Sequence, residues 1–183
     1  AEKAVAEENP IEVYVDGSYN ADTNCYGYGV YIEDGQTVQS YSGSGECLYG
    51  GRNIEGELAA AKAAVRILSS QPNERPIVIY HDYEGIGKWA DHAWKTNKPY
   101  TQAYIQYMDK QRSNLDITFS HIHGHTGVRG NELADILAKQ ACNMHLTKSQ
   151  KVEYEALQTF PFSEMTESAT KAKSTQEEES CSI

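Results

Sequence analysis

The chain has 183 residues, of which 39% are hydrophobic, and a mean hydropathy of −0.63: enough for one ordinary domain with polar tails. No apolar run approaches the ~20 residues of a membrane span. A net charge of −10 argues against a polyanionic partner only until it is mapped: residues 1–12 and 159–183 each carry −3, leaving −4 for residues 13–158.

Residues 1–10, AEKAVAEENP, form a tail or linker with no apolar signal segment. The start at Ala rather than Met suggests a processed chain or a piece of a longer one. The four cysteines, Cys25, Cys47, Cys142 and Cys181, include no C-x-x-C pair, so free thiols in a reducing, cytoplasmic compartment are expected. IEVYVDGSYN (11–20) alternates apolar and polar residues and breaks at Asp-Gly, predicting a strand that ends at Asp16. YGYGVYIED (26–34) and TVQSYSGSGE (37–46), joined at Asp34-Gly35, complete an antiparallel meander.

NIEGELAAAKAAVRILSS (53–70) predicts a helix that buries Leu58, Ala61, Val65 and Leu68. PIVIYHD (76–82) is a short apolar run typical of a buried parallel strand. Residues 84–112 predict two helical pieces interrupted near Pro99, LDITFSHIH (115–123) a strand, and GNELADILAKQACNMHL (130–146) an amphipathic helix. The order β-β-β-α-β-α-β-α predicts an α/β fold: a five-stranded mixed sheet, three strands antiparallel and then two parallel, flanked by helices. Residues 148–162 add a docked helical extension, and 163–183 are polar and acidic enough to predict disorder.

Four acids fall at the ends or starts of these elements: Asp16, Glu57, Asp82 and Asp135. Each alone reads more readily as a solvated surface charge than as a metal ligand. In a mixed sheet, however, the first and fourth strands can lie side by side and present Asp16 with Asp82, while the helices bring Glu57 and Asp135. Clustered carboxylates repel, and hard divalent cations are the natural compensation. Two such ions held close together clamp the attacking and leaving oxygens of a phosphodiester.

YVDGSYN, NIEGELAA, YHDYEGIGKWA and HGHTGVRGNELADILAK together resemble, in order and spacing, the four motif blocks of the type 1 ribonuclease H family, across residues 11–147. The likeness is to the bacterial branch in which this domain follows a viroplasmin-like hybrid-binding domain. The resemblance implies a ribonuclease H-like fold and a two-metal endonuclease that cuts the RNA strand of RNA/DNA hybrids, leaving 5′-phosphate and 3′-hydroxyl ends. It implies two Mg2+ ions, with Mn2+ an accepted substitute, on Asp16, Glu57, Asp82 and Asp135. Glu57 would also lie near the RNA 2′-hydroxyl. A monomer is expected, with an N-terminal hybrid-binding domain possible beyond the sequence in hand.

His125 matches the family's mobile histidine, a proton shuttle between Gly124 and Gly127 that helps release product. His121 and His123, two apart on a strand, are geometrically open to zinc, but no third nitrogen or sulfur ligand completes such a site. They are expected to be structural, with His123 close to a phosphate. Gly17 and Ser18 would let backbone approach the scissile phosphate, and Asn53 would touch the minor groove. The chain departs from the common family pattern at Arg52, which would strengthen phosphate binding, and at Glu84, which weakens one groove contact; both fit a solvated surface position equally well. Residues 85–112 carry a net +3, Arg112 included, with Trp89 and Trp94, a composition suited to a groove along the DNA strand, although an apolar helix face also uses Trp as core, the reading favoured for Trp89. The rivals are another two-metal nuclease of this fold, of resolvase or integrase type, and a hybrid-binding module without activity.

Overall fold

In the computed structural model, residues 9–71, 74–124 and 126–158 are described. Among them run β1 (Ile11–Asn20), β2 (Cys25–Glu33), β3 (Val38–Glu46), α1 (Asn53–Ser69), β4 (Ile77–His81), α2 (Gly85–Ala90), α3 (Pro99–Arg112), β5 (Ile117–His121), α4 (Arg129–Ala141) and α5 (Lys148–Gln158). The strands form one sheet in the order β3-β2-β1-β4-β5. β1 pairs antiparallel with β2 and parallel with β4, which in turn pairs parallel with β5. The expected mixed sheet is therefore the observed one.

The alternation along β1 sends Val13 and Val15, both fully buried, to one face of the sheet. There they meet Val30, Ile32, Ile77 and Ile79 and pack on α1, whose Leu58, Ala61, Val65 and Leu68 are buried as the helical spacing predicts. Ile86, Tyr104 and Met108 extend this core under α2 and α3. A smaller cluster joins Tyr31 to Leu133 and Leu137 of α4 and Leu157 of α5, with Tyr14 and Tyr154 against it. Pro99 opens α3, where its missing N–H costs no helical bond.

Two close approaches of helix to sheet set the geometry. A Cβ on Gly27 would strike the carbonyl oxygen of Ala138, and one on Gly29 that of Ala134, so these glycines let α4 lie directly on β2. A Cβ on Gly17 would collide with the backbone of Gly56 and Glu57, so Gly17 admits the start of α1 onto β1.

Asp-Gly at 16–17 does not end the first strand. The ladder continues to Asn20, with Asp16 opposite Gly29 and Gly17 opposite Tyr28, because Gly17 is needed for helix contact and not for a turn. β5 is shorter than the apolar run predicts, ending at His121. The expected extension at 148–162 is helical to Gln158; residues 159–162 and the expected disordered tail 163–183 lie outside the described residues. Among the described residues, no helix is long and apolar enough to cross a membrane.

Gly29→Ala should force α4 away from β2 and lower unfolding stability by about 3 kcal/mol, as overpacking against rigid backbone does. Urea denaturation would measure it; a midpoint within error of the unsubstituted chain would mean that α4 can shift freely on the sheet.

Candidate active site

The parallel register of β1 and β4 places Val15 beside His81, so Asp16 and Asp82 follow on adjacent strands at the same end of the sheet. Gly17 lets α1 settle there, and with it comes Glu57, one turn into the helix. Asp16, Glu57 and Asp82 each offer an oxygen within 4.8 Å of the others. Asp135 of α4 joins them in lining a cleft of about 470 Å³. It lies within hydrogen-bonding reach of Asp16 and is ion-paired to Lys139 one turn further on at 2.9 Å. On the far rim, Thr147, Ser149, Gln150 and Glu153 line the same cleft from the start of α5, which a 2.8 Å pair between Arg129 and Glu153 ties to α4. A wider depression of about 820 Å³, around Glu12, Asp34 and Arg75, lies at the opposite end of the strands, away from this chemistry.

Asp16 and Glu57 are both buried, at 4% exposure. Burial pushes the Asp16 carboxyl well above the usual range, and the charges of Glu57, Asp82 and Asp135 push it further. Burial and then Asp82 do the same to Glu57. The N–H of Gly17 donates to Asp16 Oδ1 at 3.0 Å. Glu57 Oε2 is buried with no hydrogen-bond partner, although burying a carboxylate oxygen unsatisfied is costly. An all-oxygen donor set, an orphaned buried oxygen and mutual repulsion together fit a hard divalent cation.

His121 stacks on His81 at a ring separation of 5.8 Å and meets His123 edge-on at 5.5 Å, and its Nε2–H donates to the backbone carbonyl of Asp82 at 2.9 Å. Among the described residues, the three-histidine stretch contributes nothing to a group of metal-ligand side chains. His123 is exposed, and His125 lies outside the described residues. Gly17 lines the cleft, but Ser18 does not: its hydroxyl bonds toward the Cys142 sulfur instead. Arg52 and Asn53 are exposed at the start of α1, and Glu84 is exposed beside Lys88, so none of the three lines the carboxylate cleft.

Arg112, counted above among the groove cations, is structural. Its guanidinium pairs with Asp91 at 2.7 Å and donates to the carbonyls of Ile117 and Ala90. Trp89 is half-buried against the core, while Trp94 is 38% exposed and packs edge-on against it.

Sequence reasoning missed Asn131 and Lys139, four residues either side of Asp135 and so on its face of α4; that spacing was an available signal. The rim residues of α5 carried no such signal, nor did buried His81. The latter donates from Nδ1 to the Tyr83 carbonyl, and burial lowers its pKa.

The family model for RNase H matches residues 8–143. A ribonuclease H of Tropheryma whipplei (strain Twist) is 30% identical over 158 residues, spanning 79% of this chain and 91% of the relative. RNase H1 from Halobacterium salinarum NRC-1 superposes with a TM-score of 0.63 at 21% identity, covering 74% of this chain and 98% of its own. LC11-RNase H1, solved in complex with an RNA/DNA hybrid, does so with a TM-score of 0.59 at 19% identity, covering 72% and 99%.

The raised carboxyls fix the sign of a pH effect. Carboxyls in the unfolded chain ionise near pH 4, whereas Asp16 and Glu57 hold their protons in the fold to higher pH. As pH rises through that interval the unfolded state binds fewer protons, so their contribution lowers stability, most fully above both folded values. Asp34, held low by the Thr37 and Gln36 N–H groups, works oppositely, so the site is isolated by comparison with Asp16→Asn. In chelator at pH 8, Asp16→Asn should melt roughly 3 °C or more above the unsubstituted chain, about 1 kcal/mol at this length. The gap should shrink at pH 5, and magnesium should stabilise the unsubstituted chain more at pH 8. Calorimetry that found no gap at pH 8 would remove the buried-repulsion account.

Proposed function

The chain belongs to the RNase H family, and on that premise we propose that it is an endonuclease hydrolysing the RNA strand of RNA/DNA hybrids, leaving 5′-phosphate and 3′-hydroxyl ends. The observation that carries this reading is the trio Asp16, Glu57 and Asp82, gathered within 4.8 Å with Glu57 Oε2 buried and unpartnered. The hybrid bound by LC11-RNase H1 supports the substrate class.

Asp16, Glu57, Asp82 and Asp135 would hold two Mg2+ ions, or Mn2+ in their place. When bound, these ions supply a water acidified for attack and charge compensation at the departing 3′ oxygen. Asp16, buried beside the other three carboxylates, would help to hold both ions. Glu57 is assigned, from its sequence block, a place near a 2′-hydroxyl of the RNA strand, the group that separates RNA from DNA. Lys139 holds Asp135 in the absence of substrate, and its positive charge then faces the incoming phosphate. Gly17 lines the cleft, its missing Cβ making room for the backbone of α1 at Glu57, and is assigned a close backbone approach to that phosphate from its sequence block alone. His125 is assigned proton transfer and product release from its sequence block alone. Arg52 and Asn53 extend the contact surface beyond the carboxylates at the start of α1, whereas Glu84, paired with Lys88, is assigned no close contact.

Matched labelled duplexes of RNA/DNA, RNA/RNA and DNA/DNA test the reading. With magnesium, only the RNA strand of the hybrid should be cut. Asp16→Asn should lower the rate by about a thousandfold or more, since several kcal/mol of transition-state charge stabilisation is lost. Cleavage of DNA/DNA at a comparable rate, or activity retained in Asp16→Asn, would defeat the assignment.

A further inference from the structure

The loop between β3 and α1 is held by a buried carboxylate that the catalytic chemistry does not use. Glu55, 7% exposed, accepts from the Cys47 thiol at 2.6 Å, from Gly51 N–H at 2.7 Å, and from the N–H groups of Leu48 and Tyr49 at 3.2 and 3.3 Å. The Cys47 sulfur in turn accepts from the N–H of Arg52 at 3.3 Å. Arg52 adopts φ 53°, a left-handed backbone that a non-glycine residue keeps only when its surroundings enforce it.

What this clasp presents to solvent is apolar. Leu48 is 68% and Tyr49 63% exposed, and they are neighbours. Tyr49 is not loose: its ring stacks on Tyr100, at the start of α3, with centroids 5.3 Å apart. Single exposed hydrophobes need no explanation, but two adjacent ones, fixed by a buried carboxylate and an aromatic stack, form a rigid surface. The clasp ties that surface to the first turns of α1, since Glu55, which holds the N–H groups of Leu48 and Tyr49, lies two residues before Glu57 on the same helix.

We propose that Leu48 and Tyr49 form a shelf that packs against the sugar edges of the bound hybrid beside the catalytic carboxylates, with Glu55 as the residue that positions it. The proposal rests on the hybrid-nuclease reading above. Sugar edges suit the chemistry, since an aromatic face and a branched aliphatic side chain offer contact area without base-specific hydrogen bonds. The contribution is therefore independent of sequence and of salt, unlike that of phosphate-binding cations.

The test is the double substitution Leu48→Ser with Tyr49→Ser, measured on two hybrids of unrelated sequence. KM with magnesium, and the Kd of a fluorescent hybrid by anisotropy in calcium, should rise about tenfold for both. kcat should stay within twofold, the melting temperature should hold, and the slope of log Kd against log salt should not change. Glu55→Gln should raise KM in the same way, and combined with Tyr49→Ser should add little, since both act through one shelf. Full additivity would strip Glu55 of the positioning role. KM and Kd unchanged within twofold, while the unsubstituted chain cuts hybrid normally, would overturn the shelf and leave the nuclease reading intact. An unsubstituted chain that neither binds nor cuts hybrid would overturn both. Should Glu55→Gln fail to fold, the surface double substitution decides alone.

Discussion

Parallel pairing of β1 with β4 is the contact on which the rest of the molecule depends. Their register sets Asp16 and Asp82 on neighbouring strands, and no local segment could do so, because two strands and a long helix separate them in sequence. With that pair in place, α1 and α4 have only to reach the sheet closely enough for their own carboxylates to join. Glycines grant this approach: Gly17 beneath α1, Gly27 and Gly29 beneath α4. The cleft is thus a consequence of backbone proximity first and of side-chain chemistry second.

Such a cluster opposes folding. Asp16 and Glu57 are both buried and repel one another and their neighbours. The surrounding structure tolerates this because the hydrophobic face below it, from Val13 and Val15 through Ile79 to Leu58 and Val65, is fully closed. Stability made elsewhere holds together a site that prefers to fly apart until cations arrive. On the opposite rim, α5 is held by Leu157 and by the Arg129–Glu153 pair and narrows the cleft from its polar end.

Much of this was visible in the residues alone. Element order followed from the switch between two-residue and helical periodicity, and the adjacency of the first and fourth strands followed from the mixed topology. Asp16 was found but misplaced at a strand end, because Asp-Gly is the usual mark of a turn; the reason for the glycine, a helix backbone lying on it, is a tertiary fact. Arg112 reads as a groove cation because its charge is local information, whereas its partners are Asp91 beyond α2 and Ile117 of β5. Glu55 passed unnoticed for the same reason. Two residues from Glu57 on the same helix it is chemically identical, and only the loop folded around it shows that its task is different.

The order of the sheet also bears on how the chain is made. β1, β2 and β3 are consecutive and can pair as soon as they leave the ribosome, but β4 comes only after the whole of α1. Until then one side of β1 is an open edge next to Val13 and Val15, a strand surface ready to pair with another chain. α1, which precedes β4 in the chain and lies on β1 through Gly17, covers the apolar face of that strand. The same glycine that brings Glu57 to the carboxylate cluster in the finished protein therefore also lets α1 cover an apolar strand face before β4 is available to pair with it.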